Sequence, residues 1–61
     1  GQTRRFAGNT IIYSNPDLTG TRYTYKPNTS VTILENVNAG VDKVKVIYTG
    51  RIGYVSTNVY A

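Results

Sequence analysis

A small all-β barrel of five strands is the fold that this sequence predicts, and three observations carry the prediction. Val, Ile, Thr and Tyr are abundant while helical periodicity is nearly absent. Gly, Asn, Pro and Asp interrupt the chain at short intervals, as tight turns between short strands require. The chain is 61 residues long and has neither Cys nor His. One domain, residues 1–61, is the most it can form. A disulfide framework and a Cys/His zinc site are both excluded, so stability must come from apolar and aromatic packing in a closed sheet.

The elements follow in order. Gly1 to Arg5 is expected to be a loose or edge segment. "NTIIYSNPDLTG" begins with a short strand, Thr10 to Tyr13. The turn residues Ser14 to Asp17 and Gly20 then form a long irregular first loop, because Pro fixes φ and Asn and Asp bond back to nearby backbone. "TRYTYK" places Tyr23 and Tyr25 on one face and Arg22, Thr24 and Lys26 on the other, and Pro27-Asn28 turns the chain. "SVTILENV" alternates as a half-buried strand. "NVNAG" is a loop in which Gly40 is expected to supply a positive φ. "VDKVKVIY" puts Val44, Val46 and Tyr48 on one face and Lys43, Lys45 and Ile47 on the other. Thr49-Gly50-Arg51 is the hairpin turn, "IGYVS" the last strand, and "STNVYA" a single 3₁₀ turn. Alternate residues fill a barrel of this size and leave no internal ligand cavity, so function belongs on the outside.

Seven Lys and Arg against three Asp and Glu give a net charge of +4. That balance favours anionic surroundings such as nucleic acid, acidic lipid heads or wall polymers. The cations Arg4, Arg5, Arg22, Lys26, Lys43, Lys45 and Arg51 are scattered and form no basic tail. No apolar run approaches the roughly 20 residues that span a bilayer, so no membrane insertion is expected. The glycines of "TGRIGYV" do not make a phosphate loop, because no helix and no Gly-Lys-Ser/Thr follow. Asp17, Glu35 and Asp42 each lie beside a predicted turn or strand end, which places them in solvent rather than across a catalytic cleft. No catalytic residue, metal or cofactor is expected.

Six Tyr and one Phe without any Trp is the unusual feature. Tyrosine presents rigid apolar area and a hydroxyl at low entropic cost, which suits sugar rings and peptide stems. Tyr48 and Tyr54 are expected to be core or half-core residues, and Tyr13, Tyr23, Tyr25 and Tyr60 an exposed cluster. Arg22, Lys26 and Arg51 add attraction for phosphate or carboxylate. Asn15, Thr57 and Asn58 offer hydrogen bonds, although polar loop residues more often serve their own backbone. Phe6 is expected to cover the open end of the barrel.

From Lys26 to Ala61, "KPNTSVTILENVNAGVDKVKVIYTGRIGYVSTNVYA" resembles a bacterial SH3-like (SH3b) domain. The family shows a "kpGt" turn, a "VtVl" strand, a loop, "W-x-K-V-x-V", a Gly turn, "GYV" and a closing "SSxYL". Val41 stands where the family often has Trp, and Asn28 where it often has Gly. Gly53 is then structural, letting Tyr54 and Val55 pack closely. The ending also echoes eukaryotic SH3 domains, but the "ALYDY" start, the acidic first loop and the Trp pair are missing, so proline-rich peptides are not the expected ligand.

The resemblance implies a non-catalytic module that binds a bacterial cell-wall peptide or associated anionic polymer, as one part of a larger extracellular or envelope protein. In SH3-like barrels the first strand, the end of the long loop and the closing turn converge along one groove. The implied ligand-binding set is Tyr13, Asn15, Arg22, Tyr23, Tyr25, Asn58 and Tyr60. Docking against another domain of the parent protein is the alternative, and nucleic-acid binding through Lys43 and Lys45 the third reading.

Overall fold

Residues Gly1–Ala61 are all described by the computed structural model. Six strands form one antiparallel sheet: β1 (Gln2–Arg5), β2 (Thr10–Tyr13), β3 (Arg22–Tyr25), β4 (Ser30–Asn38), β5 (Val41–Val46) and β6 (Ile52–Ser56). Their order across the sheet is β1-β4-β5-β6-β2-β3. The expected all-β, barrel-like class holds, with one strand more than the sequence predicts. The addition is the expected edge segment, which pairs with β4 from Gln2↔Ile33 to Arg5↔Ser30. Its polar sequence, Gln-Thr-Arg-Arg, leaves three of four residues exposed, as suits a sheet edge that must not recruit further strands.

Alternation builds the core. Ile12 of β2, Val31 of β4, Val44 and Val46 of β5, and Val55 of β6 are fully buried, and Tyr25 of β3 nearly so. Val31↔Val46 and Ile33↔Val44 stand opposite each other across β4 and β5, so the period-2 pattern of both strands turns one apolar row inward. Phe6 belongs to this core rather than merely covering its end, with no exposed surface.

Backbone pairing around Phe6 closes the structure. The Phe6 N–H donates to Thr29 O at 3.1 Å, and the Asn28 N–H donates to Phe6 O at 2.8 Å. On the opposite edge Ala7 N–H reaches Val59 O at 2.8 Å, Ala61 N–H reaches Arg5 O at 2.9 Å, and Phe6 bridges Tyr60. Residues 5–7 are therefore held between the turn before β4 and the last three residues.

The turns differ from expectation in three places. β5 ends at Val46, and Ile47–Thr49 form the turn, with Gly50 at φ 76° donating its N–H to Val46 O at 2.7 Å. Tyr48 is consequently 75% exposed, not inside. Gly40 does not take a positive φ; Leu18 and Asn28 do, at 61° and 68°. The β4–β5 turn has no need of it, because the Asn38 side chain accepts the Gly40 N–H at 2.9 Å. Thr57 and Asn58 make an ordinary turn instead of a 3₁₀ helix. The Thr57 N–H donates across to Gly40 O, and its hydroxyl to Ala39 O, so this turn is tied to a neighbouring loop rather than wound on itself.

Gly53 meets its structural expectation. β2 and β6 are joined by the single pair Tyr13↔Tyr54, and a Cβ at Gly53 would lie 2.8 Å from Tyr13 O and overlap the Ile12 side chain. Gly53→Ala should therefore lower stability by about 1–3 kcal/mol, the usual range for overpacking, read as a reduced urea midpoint. Gly8→Ala, where nothing lies within 4 Å, should shift stability by less than about 0.5 kcal/mol. Equal effects at the two positions would refute this account of the β2–β6 junction.

Candidate functional site

Three of the four tyrosines expected at the surface are half-buried: Tyr13, Tyr23 and Tyr60. Each has its own arginine. Arg22 lies 5.8 Å from the Tyr13 ring centroid, Arg51 3.7 Å from that of Tyr23, and Arg4 4.9 Å from that of Tyr60. A guanidinium over an aromatic ring is held by the ring quadrupole, and its N–H edge remains free to meet an anion. The structure thus sets three of the expected tyrosines in separate Arg–Tyr pairs, two of them with arginines, Arg4 and Arg51, from outside the expected ligand-binding set. Tyr25 departs from the exposed cluster: it is 8% exposed and meets Tyr48 edge-on, with ring centroids 6.3 Å apart. Its position opposite Thr10, which is also buried, turns it inward.

The Tyr13 pair lies on the outer face of the sheet. Tyr13 stands opposite Arg22 on β3 and Tyr54 on β6, Tyr54 stands opposite Lys43 on β5, and Lys43 opposite Glu35 on β4. Arg22, Tyr13, Tyr54, Lys43 and Glu35 consequently form one row across five strands. Adjacent to it runs a second row, Ile52, Lys45 and Thr32, with Ile52 52% exposed. Tyr54 and Lys43 were absent from the expected ligand-binding set. The signal for them was parity: Gly53 and Val55 point inward, which sends Tyr54 outward beside the alternating lysines.

The Tyr23 pair sits against the core. Tyr23 stands opposite buried Ile12 and packs on the apolar cluster, while Arg51, on the β5–β6 turn, lies closely over its ring. Asn15 serves the tip of the β2–β3 loop: its N–H donates to Thr19 O, its side-chain amide to the Thr19 hydroxyl, and its carbonyl accepts from Leu18. Ser14 Oγ accepts the Thr21 N–H at 2.9 Å, so this loop spends its polar groups on itself. Asn58 is exposed on the turn after β6, on the same segment as Tyr60 but remote in chain order from the β2–β3 loop.

Tyr60 marks a different kind of site. Its ring stacks with Phe6 at 6.4 Å between centroids, and its hydroxyl donates to Asp42 Oδ2 at 2.8 Å. Asp42, expected in solvent, is 6% exposed. Its other oxygen accepts from Asn36 Nδ2 at 2.9 Å, and the same amide donates to Asn38 O at 2.8 Å. Asp42 shares the inward parity of Val44 and Val46, which was the available signal for its burial. No buried side-chain polar atom lacks a partner. A carboxylate fixed on both oxygens is part of the architecture rather than a free acid or base. Glu35 lies on the outer face and Asp17 in the β2–β3 loop, so the three carboxylates serve three separate environments. One depression of about 410 Å³, lined by Thr3, Arg4, Arg5, Ser30 and Ala61, lies beside β1.

Burial, then the hydrogen bond to Asp42 and the charge of Asp42, push the Tyr60 phenol above its ordinary range, and Arg4 opposes them. The folded chain then holds this proton more tightly than the unfolded chain. The stability contributed is complete below the unfolded value of about pH 10 and is lost as pH rises above it. Tyr60→Phe leaves Asp42 Oδ2 without its donor and should cost about 2 kcal/mol at neutral pH. The gap between wild type and Tyr60→Phe should narrow from about pH 10 upward, as measured by urea denaturation across that range. A gap that stays constant would contradict the linkage.

No protein-family model, curated protein or solved structure matches this chain.

Proposed function

We propose that this chain is a non-catalytic binding module that attaches a larger protein to the bacterial cell wall, through a peptidoglycan peptide or an associated anionic polymer. The observation that carries the reading is an arginine paired with a tyrosine, Arg22 with Tyr13, on the outer face of a basic, solidly filled domain. Such pairs offer a cation and a phenol together, which suits a ligand of alternating charged and uncharged segments.

The SH3b-like order of Lys26 to Ala61 supports the same reading, and two local features agree with it. Asn28, standing where that family often has Gly, adopts φ 68°, a conformation that Gly and Asn accept most readily. Gly53 of the "GYV" segment lies against Ile12 and Tyr13 as a residue without a side chain must. The mechanism is concentration rather than chemistry: a tethered module raises the effective concentration of its linked partner at the wall.

Docking inside a parent protein is the second reading, favoured by the exposed Ile47, Tyr48 and Ile52 around the β5–β6 hairpin. Such a patch is small, and singly exposed apolar residues are ordinary on soluble domains.

Co-sedimentation of the purified chain with bacterial sacculi tests the proposal. Retention at low salt, released progressively as salt screens the arginines and lysines, is the expected result. A chain that stays in the supernatant at low salt would defeat the wall-binding reading and leave docking in its place.

A further inference from the structure

We infer that the ligand track is the outer row Arg22–Tyr13–Tyr54–Lys43, and that it takes a linear polyol-phosphate polymer of the bacterial wall. The inference rests on the wall-binding reading and chooses among its possible sites and ligands.

Availability decides between the three Arg–Tyr pairs. At Tyr23 the guanidinium of Arg51 sits 3.7 Å from the ring centroid, and the ring also packs on the core. Little of that ring is left to a ligand. At Tyr60 the hydroxyl is committed to Asp42, the ring stacks on Phe6, and Arg4 donates to Ala61 O at 3.4 Å. That pair holds the last residues in place. Tyr13 differs on each count. Its arginine stands off at 5.8 Å, no protein group binds its hydroxyl, and its cross-strand neighbour is a second half-buried tyrosine, Tyr54.

The row also has an order that implies a ligand chemistry. A cation stands at each end, Arg22 on β3 and Lys43 on β5, with two phenols between them. Three strand spacings separate the ends, roughly 14 Å between backbones. Exposed Lys45 adds a third cation in the adjacent row, opposite Ile52. Beyond Lys43 the row ends at Glu35, which repels a further phosphate. Sparse cations separated by phenols suit phosphodiesters separated by hydroxylated carbon segments. The phosphates meet Arg22 and Lys43, while the neutral segments lie against ring surface and hydroxyls. A nucleic acid asks for denser phosphate contacts and for open stacking faces, and half-buried rings expose only part of theirs.

Binding of purified poly(glycerol phosphate) to the chain, followed by titration calorimetry at several salt concentrations, tests this. Arg22→Gln with Lys43→Gln should weaken binding about tenfold at low salt and flatten its salt dependence. Arg51→Gln, which removes the same kind of charge from the Tyr23 pair, should change affinity less than about twofold. Circular dichroism confirms that the variants remain folded.

Double-variant binding equal to wild type, or an equal loss in Arg51→Gln, overturns the assignment of the row. Undiminished retention on sacculi stripped of their anionic polymer overturns the choice of ligand while leaving the wall-binding reading intact. Tighter binding to single-stranded oligodeoxythymidine than to poly(glycerol phosphate), without retention on sacculi, overturns both.

Discussion

Phe6 and the backbone on either side of it are the constraint on which the rest of the structure depends. A sheet of short strands has two edges, and β2 is joined to β6 through one residue pair only. What turns the strip into a closed body is the segment Arg5–Ala7, bonded to Asn28 and Thr29 on one edge and to Val59 and Ala61 on the other. The Phe6 side chain enters the core at the same point. First, middle and last parts of the chain therefore meet at one residue. Bringing them together carries loop-closure entropy before any contact rewards it, so the closure must be supported by burial and by several hydrogen bonds at once. In a domain this small the core cannot spare any of them.

Closure by the last residues gives Tyr60 an architectural role. A terminal segment held by two backbone bonds would fray. The Tyr60 hydroxyl on Asp42, its stacking on Phe6 and the Arg4 guanidinium over its ring fix the segment to β1 and β5. Asn36 completes the site by satisfying the second Asp42 oxygen. Because every buried side-chain polar atom has a partner, this network leaves no buried side-chain donor or acceptor orphaned. A buried carboxylate that accepts only these donors also fixes the register of β4 against β5, where two irregularities interrupt the ladder.

What the sequence made legible follows from what local pattern encodes. Alternation located β4 and β5, β-rich composition located β2, and turn residues located the β2–β3 loop and the hairpin that returns as β6. The polar edge strand β1 has no apolar alternation, and its partner lies some thirty residues away in sequence, so only pairing reveals it as a strand. Tyr48 was misplaced because alternation does not say where a strand stops; Gly50 bonding back to Val46 stops it. Asp42 was misplaced because a charged residue is ordinarily solvated, and its partner Tyr60 is 18 residues distant. The tyrosine set was only partly legible: Tyr13, Tyr23 and Tyr60 keep some surface, but the burial of Tyr25, the exposure of Tyr48 and the faces they share could not be foreseen. Facing depends on the β2–β6 and β5–β6 registers, and those are long-range facts.

The registers also divide the two faces of the sheet between two tasks. Inward residues, including Phe6, Asp42 and Tyr60, are fully engaged in holding the barrel shut. Outward residues on β2, β5 and β6 lie outside the buried core, on strands already paired on both sides. They can vary in chemistry at little cost in stability, which makes that face the place where recognition can be built. A face with a few cations and two phenols supports weak, salt-sensitive attachment. Weak attachment is sufficient when the ligand is a repeating polymer, since each release leaves another repeat within reach. A domain that fills its interior with a cluster of seven buried side chains leaves recognition to its outer surface.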